Sequence, residues 1–329
     1  MSNMGPFTKG IDKELTDLGK NLMPDGNPIP KPGTLIQQNT LIELASLSTS
    51  FIPQMTVGEL VEITGKKGVG VGTLMTDKGN VVGEVTVIDG KAYVSETSFG
   101  KKGNTREARP DEMVYFAQVG YFESKELPAI KLSKDDDFVK NHPDFKSHIT
   151  KQILEDYIRE KILGSDPEKN GAFVVKMINA RFDNLKLRSV DGSAEYEFDD
   201  GTRKAKNLGE VMEKQTQVEF KEPKKRFRVA GVYNNMDAGE VSTSESFEGL
   251  HLHAVDRAGN YGGHVQIQEM QMNSCIIQVM PVQQWLIATK EHATEIGFRE
   301  AEHPKTSVEI ELARKKAKAF SSAGYGLGH

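Results

Sequence analysis

A mixed chain of strands and helices, in two domains or two lobes of one, is what this sequence predicts, on three observations. Runs that alternate apolar and polar residues, the period of half-buried strands, recur along the sequence, while helical spacing is confined to short segments. The 329 residues, 37% hydrophobic and 27% charged, can bury a sizeable core and suit two domains or two lobes of one. Near the middle, Gly164-Ser-Asp-Pro-Glu-Lys-Asn-Gly171 is polar and carries glycine and proline, which marks it as the best linker candidate. These boundaries give an extended arm over 1–33, an N-terminal α+β lobe over 34–165, a C-terminal α+β lobe over 166–320 and a glycine-rich tail over 321–329.

The arm follows from Met23-Pro-Asp-Gly-Asn-Pro-Ile-Pro-Lys-Pro-Gly33, whose prolines exclude helix and central strand. Leu41, Leu44, Ala45 and Leu47 have helical spacing over Thr40 to Leu47. Thr56 to Ile63 reads as a second short helix, with Thr56 as its cap and Glu59 three residues on. Gly65-Lys-Lys-Gly-Val-Gly-Val-Gly-Thr-Leu74 invites a phosphate-loop reading, which fails: the Gly-Lys-Ser/Thr ending is absent and the next segment is a strand. Val81 to Val94 reads as two strands across an Asp89-Gly90 turn. Glu84 lies within the first of them, and a lone carboxylate there is most simply exposed at an edge.

Tyr115 to Phe122 is a further strand, and Ile149 to Ile162 an amphipathic helix. Ala172 to Ile178 is a strand that Ala180 to Val190 is expected to pair with; Asn184, Lys186 and Arg188 alternate on one face of it, which alone reads as surface polarity. Asn207 to Lys214 is a short helix, Val218 to Phe220 and Phe227 to Tyr233 are strands, as are Ile276 to Val279 and Trp285 to Ile287, and Thr306 to Phe320 is helical.

Composition narrows the function. A net charge of -5 gives no general attraction to nucleic acid, and the basic runs Lys224 to Arg228 and Arg314 to Lys318 read as solvated faces. The single cysteine, Cys275, excludes an intrachain disulfide, suits a reducing compartment and reads as a buried structural thiol. The first residues carry no apolar run of a secretory signal, and no stretch approaches the ~20 apolar residues of a membrane span, so a cytoplasmic protein is expected. A serine or cysteine hydrolase has no support, since neither a GxSxG elbow nor a cysteine nucleophile set is present.

The densest chemical signal is Gly249-Leu-His-Leu-His-Ala-Val-Asp-Arg-Ala-Gly-Asn-Tyr-Gly-Gly-His264. His251 and His253 are two apart and share one face of a strand, leaving Leu250, Leu252 and Ala254 on the other. Asp256 to Asn260 is a turn, and Val265 to Met272 a second alternating run, so a hairpin brings His264 opposite the first two. Three imidazoles on one face without cysteine suit Zn²⁺ with its fourth position open to water or substrate. An isolated HxH is otherwise often a pair of satisfied surface histidines.

Taken together, these segments resemble the α-acetolactate decarboxylase family. The histidine hairpin is similar to the family's metal hairpin, in which HxH and a third histidine after Gly-Gly hold zinc. Gly70-Val-Gly-Thr73 looks like its glycine–threonine strand end, Gly83-Glu-Val with Asp89-Gly-Lys-Ala-Tyr93 like the segment of its catalytic glutamate, and Phe173-Val-Val-Lys-Met through Lys186-Leu-Arg-Ser-Val190 like the strands whose arginine lines the site. Leu208 to Gln215 and Phe220 match its connecting helix and strand.

The resemblance implies an α+β fold, two lobes of mixed sheet with a zinc face between them. It assigns Zn²⁺ as the cofactor on His251, His253 and His264, the acid/base role to Glu84, and substrate contact to Arg188 and Thr73. The stretch from Thr73 to Glu84 is longer than the family pattern, which makes Asn80 a rival for the aligned place; Glu84 is preferred because the chemistry needs a carboxylate. The family's C-terminal glutamate falls on Glu309 or Glu311, and its proline after the arginine segment is Asp191 here. The implied activity is conversion of 2-acetolactate to acetoin and CO₂, with a small-molecule partner, neither nucleic acid nor membrane, and a homodimer as the assembly. The alternatives are the same zinc chemistry on a larger β-keto or 2-hydroxy-3-keto acid, and a non-catalytic metal-stabilised binding protein.

Overall fold

A computed structural model describes residues 32–38, 55–75, 81–164, 171–189, 197–198, 203–204, 216–221, 224–235 and 249–288. The proposed arm as far as residue 31, the helices at Thr40 to Leu47, Asn207 to Lys214 and Thr306 to Phe320, the tail, Asn80, Asp191, Glu309 and Glu311 lie outside the described residues. Among the described residues, two seven-stranded sheets make the frame.

The first sheet is built from β1 (Thr34–Gln38), β2 (Gly68–Met75), β3 (Val81–Ile88), β4 (Lys91–Gly100), β5 (Gly103–Glu107), β6 (Met113–Tyr121) and β16 (Gln284–Ala288). Their order is β16-β1-β6-β2-β3-β4-β5, antiparallel except for the parallel β1–β16 pair. The expected turn joins β3 to β4 at Asp89, whose φ of 53 is the left-handed conformation such a turn needs. Helix α1 (Val57–Thr64) covers one face, its start closed by the expected capping box: Thr56 Oγ1 accepts from Glu59 N at 3.2 Å and Thr56 N donates to Glu59 Oε2 at 2.6 Å. Val57 and Leu60 pack there on Val85, Val87, Val94 and Val119.

The second sheet contains β7 (Ile130–Ser133), β8 (Ala172–Ser189), β11 (Thr216–Phe220), β12 (Phe227–Asn234), β13 (Gly249–Asp256), β14 (Gly262–Val265) and β15 (Gln271–Pro281). A separate two-stranded pair joins β9 (Glu197–Phe198) and β10 (Arg203–Lys204). β7 comes from the first half of the chain and β16 from the end of the second, so each sheet takes a strand from the other half.

Two sequence expectations change here. Ala180 to Ser189 does not fold back on Ala172 to Ile178; both belong to the single strand β8, which bends at Asn179 (φ 54), where its register with β15 also shifts, and Val190 lies outside the described residues. Asn179 alone cannot close a hairpin, and the bend lets the two halves of β8 serve different neighbours. The first half pairs with β12 and the second with β14, so β8, β12, β13 and β14 close on themselves. The alternating run after His264 is likewise not one strand: a short 3₁₀ turn at Ile267–Glu269 separates β14 from β15.

The long helix also starts later than periodicity indicates. α3 (Lys151–Tyr157), which follows the short α2 (Asp137–Lys140), is capped by Thr150, whose hydroxyl accepts from Ile153 N, and it runs on as a π-helical turn over Ile158–Leu163. Ile149, read as helical, instead bridges Met272. Ile153, Leu154 and Ile158 pack under the second sheet with Val175, Leu187, Leu250, Leu252 and Cys275. Burial pushes the Cys275 thiol up to about 12, as suits an inert packing residue. The run from Lys224 is less solvated than expected: Lys225 Nζ lies 4.0 Å from the Tyr261 ring centre and 3.5 Å from Asp256.

The sheets face each other across a second apolar layer of Leu35, Val69, Phe122, Val174, Ala230, Val232 and Met280. β13 alternates between the two layers: Leu250, Leu252 and Ala254 point to the helices, so His251 and His253 point to the first sheet. No helix among the described residues is long and apolar enough to cross a membrane.

The closeness of the sheets is measurable at Gly120, where an added Cβ would stand 2.5 Å from Val174 Cγ2. Gly120→Ala is expected to lower unfolding stability by about 1–3 kcal/mol, the usual cost of overpacking. Gly171→Ala, which meets nothing within 4 Å, is expected to stay within about 0.5 kcal/mol. Denaturant unfolding compares the two; equal midpoints would contradict the tight inter-sheet contact.

Candidate metal centre

The expected hairpin forms. Asp256 Oδ1 accepts from Asn260 N at 2.7 Å and Tyr261 N at 3.2 Å, which shapes the turn. The return strand then sets His264 directly opposite His253. Gly263 sits at φ +147, and a Cβ there would collide with the Arg188 carbonyl; glycine is what lets β14 lie against β8 at this point. His264 thereby pairs across strands with Arg188 as well.

The three imidazoles converge. Each offers one ring nitrogen within 4.8 Å of the others, and their ring centres are 5.0–5.2 Å apart. All three are buried, which overturns the surface alternative for HxH. Burial holds His251 and His264 well below the ordinary histidine range and His253 at about 3; the Arg188 charge pushes all three the same way. The rings are therefore neutral at pH 7, the form that binds metal.

One hydrogen bond fixes the His253 tautomer. Its Nδ1 lies 2.8 Å from the Val85 carbonyl, which can only accept, so Nδ1 carries the proton and Nε2 the lone pair. Nε2 is buried and makes no hydrogen bond. A buried nitrogen lone pair facing two further imidazoles, with its opposite nitrogen held by a carbonyl, is the donor arrangement of a metal site. The residues present fit a divalent ion.

Glu84 is brought to the same place from the first sheet. It lies on β3, an interior strand, and is 5% exposed, so edge exposure is excluded. Its Oε2 is 3.6 Å from His253 Nε2. Burial pushes its carboxyl up to about 8, with the Arg188 charge opposing. Burial thus favours its protonated form.

Arg188 is not a surface residue either: it is 1% exposed, among the largest fully buried side chains, and its charge reaches Glu84 and all three histidines. Lys186, on the same face, instead pairs with Glu269 at 3.2 Å. Thr73, cross-strand from Glu84, spends its hydroxyl proton on the Gly83 carbonyl at 2.6 Å and so secures the residue before Glu84.

Sequence reasoning missed the backbone partner Val85 and the polar group formed by Ser95, Asn104, Thr105 and Ser189 beside the hairpin. A carbonyl acceptor leaves no mark in a sequence, and Gly103-Asn104 reads as turn chemistry.

The purified protein is expected to carry about one divalent metal per chain, and His253→Ala to lose most of it, because two imidazoles are an incomplete set. Elemental analysis measures this; full occupancy in the variant would contradict the ligand assignment.

Known proteins share both the sequence pattern and this architecture. A sequence profile described as alpha-acetolactate decarboxylase matches residues 37–300. An alpha-acetolactate decarboxylase of Streptococcus thermophilus is 28% identical over 251 residues, covering 76% of this chain and 85% of that protein. Among solved structures, a Staphylococcus aureus protein of unknown function, similar to alpha-acetolactate decarboxylase, has a TM-score of 0.59 at 19% identity, over 87% of this chain and 99% of that one. Acetolactate decarboxylase from Bacillus subtilis subspecies spizizenii has a TM-score of 0.58 at 16% identity, over 88% and 99%. The structural likenesses establish the fold, and the profile, spanning most of the chain including the histidine hairpin, establishes the kinship: this chain belongs to the alpha-acetolactate decarboxylase family and is a carboxy-lyase.

Proposed function

We propose that the protein is a zinc-dependent decarboxylase that converts 2-acetolactate to acetoin and CO₂, with His251, His253 and His264 as the zinc ligands and Glu84, Arg188 and Thr73 acting on the substrate. The observation that carries this reading is one buried place shared by three imidazoles, a carboxyl and a guanidinium. Three nitrogen donors without sulfur suit zinc. A bound zinc ion supplies Lewis acidity, drawing negative charge onto substrate oxygens as the carbon–carbon bond breaks.

The chain's own residues supply the rest. The substrate enters as a carboxylate, and Arg188 offers it a buried guanidinium; a planar fork holds a carboxylate or two neighbouring oxygens in one orientation. When CO₂ leaves, the electron pair of the broken bond remains on the substrate and must take up a proton. Burial favours the protonated form of Glu84, which stands on the sheet opposite the histidines, so as the acid it delivers to one face and fixes the handedness of the product. Its carboxylate is then reprotonated from water. Thr73 keeps its hydroxyl oxygen able to accept from the substrate hydroxyl while it holds Gly83 in place. The low exposure of all these groups excludes water from the proton transfer. The single, buried cysteine suits a reducing, cytoplasmic setting.

Incubation of zinc-loaded protein with acetolactate, with acetoin and CO₂ measured, tests the substrate directly; bound zinc with no turnover would contradict it. Glu84→Gln is expected to keep zinc and lower turnover at least ~10²-fold, because an amide retains the shape but carries no transferable proton. Arg188→Lys is expected to keep fold and zinc and lose at least about 2 kcal/mol of transition-state stabilisation, since lysine cannot reproduce the fork. Lys186→Ala should change kcat/KM little; equal small effects from both changes would leave Arg188 without the proposed role.

A further inference from the structure

Beside the histidine hairpin, a side chain from the other sheet grips the backbone two residues before His264. Asn104 lies on β5, the edge strand of the first sheet, and is 6% exposed. Its Nδ2 donates to Gly262 O at 3.1 Å, and its Oδ1 accepts from Gly262 N at 3.3 Å. The other Nδ2 proton goes to Glu96 O at 3.1 Å, and the Thr105 hydroxyl donates to Oδ1 at 3.3 Å. The amide is thus fully used, and two carbonyls facing Nδ2 fix which way it points.

The geometry of this grip is that of a peptide group. β8 pairs with β14 at His264 and Val265, and these pairs do not extend to Gly262. There the Asn104 amide takes both the N–H and the C=O of Gly262, as the next residue of a neighbouring strand would. Thr105 N adds a bond to Asn260 O at 3.1 Å, so the first sheet holds the hairpin from its turn to the residue before Gly263.

We propose that Asn104 is a positioning residue for the metal centre: by fixing Gly262 it sets where His264 stands relative to His251 and His253. It touches neither metal nor substrate in this role. The inference rests on the metal reading above and extends it to a residue outside the ligand set. Groups that orient ligands commonly weaken metal binding ~10–100-fold when removed.

Zinc affinity, measured by chelator competition on the full chain, tests this without any substrate. Asn104→Ala is expected to bind zinc ~10–100-fold more weakly than the unaltered protein. Asn104→Asp keeps the volume and the acceptor for Gly262 N but sets a carboxylate against two carbonyls, so it should weaken zinc as well; it decides the matter should Asn104→Ala not fold. Leu60→Ala empties the core under α1 and is the control for general destabilisation: it should lower the melting temperature and leave zinc affinity unchanged. The visible spectrum of cobalt-loaded protein should change in both Asn104 variants and not in Leu60→Ala. Asn104 variants that bind zinc within twofold of the unaltered protein would overturn the proposal alone, and an unaltered protein that binds no zinc would overturn the metal reading with it.

Discussion

The hydrogen bond from His253 Nδ1 to the Val85 carbonyl, at 2.8 Å, is the contact on which the site depends. It crosses from one sheet to the other, where two buried polar groups satisfy each other. Leaving such groups unpaired costs about 1–3 kcal/mol each, so the bond also favours one separation of the sheets. It selects the tautomer with the lone pair on the buried Nε2, and it stands one residue after Glu84, so the imidazole and the carboxyl share a common reference. Around it, Gly263 admits β14 against Arg188, and Thr73 secures Gly83. The Ser189 hydroxyl reaches the Ser95 carbonyl, next to Arg188 on one side and opposite Glu84 on the other.

Burial gives these groups their chemistry. In water a glutamate is ionised and a histidine partly charged near neutrality; here desolvation favours the protonated form of Glu84 and the neutral form of the three imidazoles. The Arg188 charge acts in opposite senses on the two kinds of group: it favours an ionised Glu84 and disfavours charged histidines. A site of this composition is costly to fold, and its groups are held by backbone bonds and close packing from both sheets. Four strongly perturbed groups gathered in one buried cluster are what marks this place as the candidate functional site.

Much of this was legible in the chain before any coordinates. The alternation around His251 and His253 indicated which face they share, the Asp256 turn indicated the hairpin, and the capping box of α1 and the Asp89-Gly90 turn came from local chemistry with few competitors. Reading by residue type alone failed where long-range packing decides. Glu84 and Arg188 looked like exposed charge because a single sequence does not show the partner sheet that buries them. β8 looked like two paired strands because one bend at Asn179 and a full turn leave similar traces. The 3₁₀ turn at Ile267 interrupts a run whose alternation is unbroken. Asn104 and the Val85 carbonyl act through backbone groups, and so carry no residue-type signature.

The central claim is that inter-sheet packing gathers His251, His253 and His264 into one metal-binding set with the His253 tautomer fixed in advance. A crystal structure of the zinc-loaded protein, with the ion located by its anomalous scattering, tests this most directly. One peak about 2.0–2.1 Å from a ring nitrogen of each histidine is expected, with His253 ligating through Nε2 while Nδ1 still donates to Val85. Zinc bound at another place, or through His253 Nδ1 with the Val85 bond broken, would contradict it.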